Sequence, residues 1–307
     1  MRHEITIPRK LRCATTSDNT TWRGIVFARR RMLSGCLLTL LAVMLPLSSV
    51  LSSVLVAPTV VVLSDQQRTG RMILRNPTDV PQEVSVEFKF GLPISDSLGN
   101  LTLTLEDSAV TDPRSALGWI RAFPRRIVMP PGAEQTVRFV ARPPKDLPEG
   151  EYWSRIVVSS QRSQPPQLDK VKEGVISARL NTIIQTAISL KYRKGDLNAR
   201  VEMTGVDAIV TDSTVSVLVD MVNRGNVSYL GVLHTRLIDA DGNEIEAKRE
   251  NTAVYYDLRR RVDFRLPEGE LAEPMKVEIS VTTEGRRDVP AKDVVPGNAV
   301  DYSLVLE

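Results

Sequence analysis

Very few residues of this 307-residue chain have the type and spacing for chemistry, and His234 heads them. The other histidine, His3, falls in a leader-like segment, so a Ser-His-Asp arrangement would have to be built on His234. No motif sets a nucleophile beside it, and the residues around it alternate as a strand. Asp239, Asp241 and Asn243 alternate like the first ligands of a calcium loop. Their glycine, Gly242, directly follows the second acid and no acidic residue closes the loop at the required distance, so they read as a hairpin turn. Both cysteines, Cys13 and Cys36, precede residue 57, which leaves the remainder without a disulfide or a thiolate metal site. No glycine-rich loop follows a strand and opens a helix, so nucleotide binding has no support. No catalytic residue, cofactor site or metal ligand is assigned, and the chain reads as a binding protein and not an enzyme.

Arg29, Arg30 and Arg31 stand before an uncharged, Leu- and Val-rich run at 32–57, the basic head and apolar body of an export signal. Pro46 and the serines that follow it favour cleavage over a permanent helix. The cut would fall near Ala57 or a few residues earlier, among Ser49, Ser52 and Ser53. The run is also long enough to anchor the chain in a bilayer if left uncut, its only route to a membrane. Leu33-Ser34-Gly35-Cys36 imitates a lipoprotein box but precedes most of the apolar stretch, and Val26 is an alternative start. Residues 1–57 hold eight Lys/Arg and two Asp/Glu; removing them leaves 32 of the 40 basic and 35 of the 37 acidic residues, turning the formal charge from +3 to −3. The basic balance therefore belongs to the leader, and an electrostatic footprint for nucleic acid is absent.

The elements that must carry any binding are strands. Short β-branched runs punctuated by Pro, Gly, Asn and Asp predict an all-β protein, two tandem immunoglobulin-like β-sandwiches after an N-terminal signal segment. The expected parts are a leader at 1–57, one sandwich at 58–194 and a second at 195–307, with no clear internal sequence repeat. In the first sandwich strands are expected near 59–63, 70–75, 83–90, 101–105, 119–128, 135–142, 152–159 and 175–190. In the second they are expected near 198–203, 215–222, 230–238, 244–247, 253–256, 261–266, 275–282 and 299–306. Trp119, Phe123, Tyr152 and Trp153 are expected to pack in the core, and Arg125, Arg126 and Arg138 on a solvated face.

The stretch at 174–190, GVISARLNTIIQTAISL, is the most telling. One register places Ile176, Ala178, Leu180, Thr182, Ile184, Thr186, Ile188 and Leu190 on a single face, and the opposite register is mostly polar. Strands run about 5–6 residues, so an alternation this long predicts that only part of it serves the chain's own sheet. A polar loop at 161–173, with Pro165-Pro166, delivers the chain into it. The strand either bridges its own two domains or is offered to a partner.

Three segments in order resemble the periplasmic pilus chaperones, two-domain immunoglobulin-like proteins that escort pilus subunits to an outer-membrane usher. They are Arg71-Met72-Ile73-Leu74-Arg75-Asn76-Pro77-Thr78-Asp79, Pro130-Pro131-Gly132-Ala133-Glu134-Gln135-Thr136-Val137-Arg138, and Gln185-Thr186-Ala187-Ile188-Ser189-Leu190-Lys191-Tyr192-Arg193. The likeness covers roughly residues 57–195, mainly the first sandwich. It implies a periplasmic protein that binds pilus or surface-structure subunits by lending them a strand, the lending residues being Ile176, Leu180, Thr182 and Ile184. The family pins its subunit's terminal carboxylate with an Arg and a Lys; the corresponding positions are Val60 and Ser189, neither charged, with Arg179 or Lys191 as substitutes if the register differs. The alternative is a structural or adhesive two-sandwich module.

Overall fold

A computed structural model describes residues 53–107, 111–163, 182–267 and 274–306. In chain order its strands are β1 (Leu55–Ala57), β2 (Val60–Ser64), β3 (Thr69–Arg75), β4 (Gln82–Lys89), β5 (Pro93–Ser95), β6 (Leu101–Leu103), β7 (Ile120–Phe123), β8 (Arg126–Met129) and β9 (Glu134–Ala141). They continue with β10 (Gly150–Arg162), β11 (Ile184–Lys194), β12 (Val201–Val210), β13 (Thr214–Asn223), β14 (Tyr229–Ile238), β15 (Glu244–Val254), β16 (Asp257–Arg265), β17 (Met275–Thr282) and β18 (Val300–Leu306). Sheets ordered β1-β3-β9-β7 and β2-β11-β10-β4-β8 face each other in the first sandwich. Sheets β12-β13-β16 and β15-β14-β17-β18 do so in the second, and β5-β6 form a separate hairpin. The architecture is all-β, two tandem immunoglobulin-like sandwiches.

Period-two alternation builds both cores. Met72 and Leu74 of β3 turn inward with Val137 and Phe139 of β9, meeting Val84, Ile156, Leu190 and Tyr192 from the facing sheet. Val217, Val219, Leu233, Phe264, Val277 and Ile279 fill the second core in the same way. Each such side chain contributes about 1.5–3 kcal/mol when fully buried, which is how a chain without structural disulfides is held together.

The two sandwiches share a device that the sequence does not repeat. Asn76, at the end of β3, is fully buried, and its amide donates to the carbonyls of Val80, Met129 and Pro130 while its oxygen accepts from Thr78. Asn223, at the end of β13, donates likewise to Val227, Val254 and Tyr255 and accepts from Gly225. Each amide ties its own turn to a distant one. Asn76→Ala should lower the unfolding free energy by about 2–3 kcal/mol, because it strands buried carbonyls; a urea melt of the variant, with Asn76→Asp failing equally, is the check.

Several expectations need correction. The single strand expected at 119–128 is two strands in different sheets, β7 and β8, because Pro124 has no N–H for a ladder and the chain crosses between sheets there. Phe123, expected in the core, is 77% exposed at that corner, whereas Tyr152 and Trp153 are buried. The pieces expected at 244–247 and 253–256 form one edge strand, β15, since Lys248, Arg249, Glu250 and Asn251 are at least partly exposed and the buried Thr252 keeps its place in the ladder opposite Gly231. The segment expected at 198–203 runs on to Val210 as β12. Finally, β1 pairs with β3 and Val54 sits in the first core, so residues assigned to the end of the leader are part of the sheet. A cut N-terminal to Val54 keeps that strand whole.

Candidate strand-addition site

The expected lending strand is β11, described from Ile184 onward. Ile176 and Leu180 lie outside the described residues, Thr182 is exposed just ahead of the strand, and Ile184 opens it half-buried. Ile184 shares its face with Ile188, Leu190 and Tyr192, which are core residues, so the alternation read from the sequence continues straight out of the core.

The two sides of β11 differ. Along its whole length it is laddered antiparallel to β10, from Gly150 opposite Lys194 to Ser160 opposite Ile184. On the other side β2 runs parallel to it only from Ser189 to Arg193. The N–H of Ser189 donates to the carbonyl of Thr59 at 3.2 Å, so the amides of Gln185 and Ala187 point to that same side. No strand among the described residues lies there. Among the described residues, the strand therefore leaves the core as an open edge whose backbone donors and acceptors have no ladder partner, the kind of edge on which another strand can pair.

The far end of β11 is anchored by a buried ionic cluster. Glu151 of β10 is fully buried and stands opposite Arg193 in the ladder, with Trp153 opposite Lys191. One carboxylate oxygen accepts from Lys191 Nζ (2.8 Å), Trp153 Nε1 (2.7 Å) and Ser228 Oγ (2.5 Å); the other accepts from Arg193 Nε (2.8 Å). Lys191 also donates to the hydroxyl of Ser228, and Arg193 Nη2 to the carbonyl of Asp293 at 2.8 Å. Ser228 and Asp293 belong to the second sandwich, so the cluster ties β10 and β11 to it. Tyr255 closes the group, its ring edge-on to Trp153 at 4.9 Å and beneath Lys191 Nζ at 4.6 Å. Of these partners the sequence pointed to Lys191, as a possible anchor, and to Trp153, as a core residue, and to neither as a partner of Glu151. The alternation of Lys191 with Arg193 on a strand's buried face was the available signal, since two cations there require an acid.

Burial alone would raise the Glu151 carboxyl, but the charges of Lys191 and Arg193, with hydrogen bonds from Lys191 and Ser228, outweigh it and bring it from 4.5 down to about 2. The folded value lies below the unfolded one, so ionised Glu151 adds stability above about pH 4.5, and that stability is lost as pH falls toward 2. Acid titration of the unfolding free energy should show a loss on the order of 3 kcal/mol across this window, a slope missing from Glu151→Gln.

The positions expected to anchor a carboxylate do meet: Val60 and Ser189 are Cα partners across the β2-β11 ladder, and neither carries charge. Lys191, one substitute, is committed to Glu151, and Arg179 lies outside the described residues. A different cation occupies the spot. Arg155 of β10 is opposite Ser189 in the ladder, donating through Nε to the carbonyl of Gly91 (2.9 Å) and through Nη2 to the Tyr255 hydroxyl (3.3 Å). Among the described residues no carboxylate pairs with it.

His234 stands in β14 with Ser280 and Asp301 beside it in successive strands, on the wall of a shallow groove of about 480 Å³. Its imidazole is shifted down by burial and by Arg249, and no hydrogen bond among the described residues links the three side chains. Asp239 spends its carboxylate on its own turn, accepting from the N–H groups of Asp241 and Asn243 and from the Asn243 amide. Among the described residues no helix is long and apolar enough to cross a membrane.

No protein-family model matches the chain, and no curated protein does. Among solved structures, the chain is similar to the CsuC–CsuE chaperone–tip adhesion subunit pre-assembly complex from the archaic chaperone-usher Csu pili of Acinetobacter baumannii. That match has 10% identity over 81% of this chain and 97% of that one, with a TM-score of 0.43. The E. coli chaperone DraB matches at 16% identity over 83% and 98%, TM-score 0.38. The Salmonella enterica SafA pilin in complex with the SafB chaperone matches at 14% identity over 83% and 97%, TM-score 0.39.

Proposed function

We propose that this chain is an exported, periplasmic chaperone-like protein that binds and stabilises pilus or surface-structure subunits by β-strand addition, through the face carrying Ile176, Leu180, Thr182 and Ile184. The observation that carries this reading is the asymmetry of β11: clamped at Ser189–Arg193 by β2 and the Glu151 cluster, and open along Ile184–Ile188. A subunit lacking a strand supplies the missing ladder, and the alternating aliphatic side chains enter its core at about 1.5–3 kcal/mol each. The step is association, with no covalent chemistry. A subunit's terminal carboxylate arriving beside Ser189 would meet Arg155, which supports that arginine as the anchor in place of Val60 and Ser189.

Hydrogen exchange tests the reading directly. In the free protein the amides of Gln185 and Ala187 should exchange far faster than those of Leu190 and Tyr192, and should become protected when a subunit is added. Protection of both in the free protein would instead make the strand internal to the chain's own sheet, the structural or adhesive two-sandwich alternative.

A further inference from the structure

The outward face of the β1-β3-β9-β7 sheet carries four arginines and a single acid. In register across it, Arg71 stands opposite Arg138 and Arg138 opposite Phe123; one row sets Val140 beside Arg121, and another sets Arg75 beside Glu134. Alternation sends the neighbours Met72, Leu74, Val137 and Phe139 into the core, so these side chains face solvent. Among the described residues no carboxylate pairs with Arg71, Arg121 or Arg138, and Arg75 reaches Glu134 only at 3.9 Å. Like charges directly opposite each other weaken a sheet. The arrangement therefore costs the isolated domain stability, and an anionic partner would relieve it.

We propose that this face docks on a surface of anionic phospholipid. Guanidinium groups form paired hydrogen bonds with phosphate oxygens. Between them stand Phe123 and the 43% exposed Ile73, apolar groups suited to the boundary between headgroups and acyl chains.

The test uses the purified full chain with vesicles of phosphatidylglycerol and phosphatidylcholine, or of phosphatidylcholine alone. Phe123→Trp is the reporter, read as a difference from the unsubstituted chain, with sedimentation recording total binding. Its emission should move to the blue on anionic vesicles and stay unmoved on neutral ones. In the Arg71→Gln/Arg138→Gln background the affinity behind that shift should fall about 30-fold, each basic residue near an anionic surface being worth about fivefold. The double variant removes a repulsion, so its urea midpoint should be no lower than that of the parent. Emission that stays put, whether or not the chain sediments, overturns the proposal, as does an equal response to neutral vesicles or a double neutralisation without effect. A shift of the same size with polyglutamate at matched charge overturns it in favour of an acidic polypeptide.

Discussion

Glu151→Gln should lower the unfolding free energy by about 3–5 kcal/mol, more than any other single exchange of similar shape. Gln preserves the volume and can still accept from Trp153 and Ser228, so packing is nearly unchanged. What is lost is the charge that neutralises Lys191 and Arg193, whose side chains are only 1% and 9% exposed. Two cations would then remain buried with no counter-charge, desolvated and left only to the Ser228 hydroxyl, the Tyr255 ring and the Asp293 carbonyl. A surface pair provides the contrast. Glu202 and Arg224 meet at 2.7 Å with both side chains about half exposed, and Glu202→Gln should change stability by less than about 1 kcal/mol. Because Glu151 also reaches Ser228 in the second sandwich, its variant should lose cooperativity between the sandwiches, seen as a broadened or two-step urea transition. A single sharp transition within 1 kcal/mol of the parent would show that the cluster contributes little.

The second large effect concerns binding. Leu180→Asp combined with Ile184→Asp should abolish co-purification with a subunit, a loss of at least about 100-fold in affinity, since two carboxylates would have to enter an apolar groove. The fold should survive, because Thr182 and Ile183 are exposed and Ile184 only half-buried, at the strand's open end. Unchanged circular dichroism with lost binding is the expected pair of results. Undiminished binding would mean that the partner is held elsewhere. Replacing Arg155 by Gln separates anchor from groove: if it holds the subunit's carboxylate, binding weakens to a subunit with a free C-terminus and not to one with an amidated end.

Much of the fold was legible in the sequence because alternation and turn chemistry are local. The strands around Met72, Val137, Val217 and Val277 announce themselves by apolar residues at every second position, and Pro130-Pro131-Gly132 marks a reversal in which Gly132 adopts φ +70°. The failures are also physical. Trp119 through Val128 reads in sequence as one strand, yet it is divided between two sheets at Pro124. Phe123 looks like a core residue in sequence and is exposed because alternation along β7 turns Ile120 and Ala122 inward and puts Arg121 and Phe123 on the outward face.

The sequence by itself determined an all-β sandwich protein whose described residues hold no cysteine, with few residues fit for catalysis and one long alternating run at 174–190. Its alternation alone predicts a common face for Ile176, Leu180, Thr182 and Ile184, of which the described residues include the last two. Only the tertiary structure decided that Ile184–Ile188 is an open edge while Ser189–Arg193 is closed, because β2, which does the closing, comes from more than a hundred residues earlier and pairs for only five residues. The partners of Glu151 were likewise beyond reach, lying 40, 42 and 77 residues away in Lys191, Arg193 and Ser228. A strand's period is written in its own residues. Its neighbours are chosen by the burial and charge compensation of the whole chain.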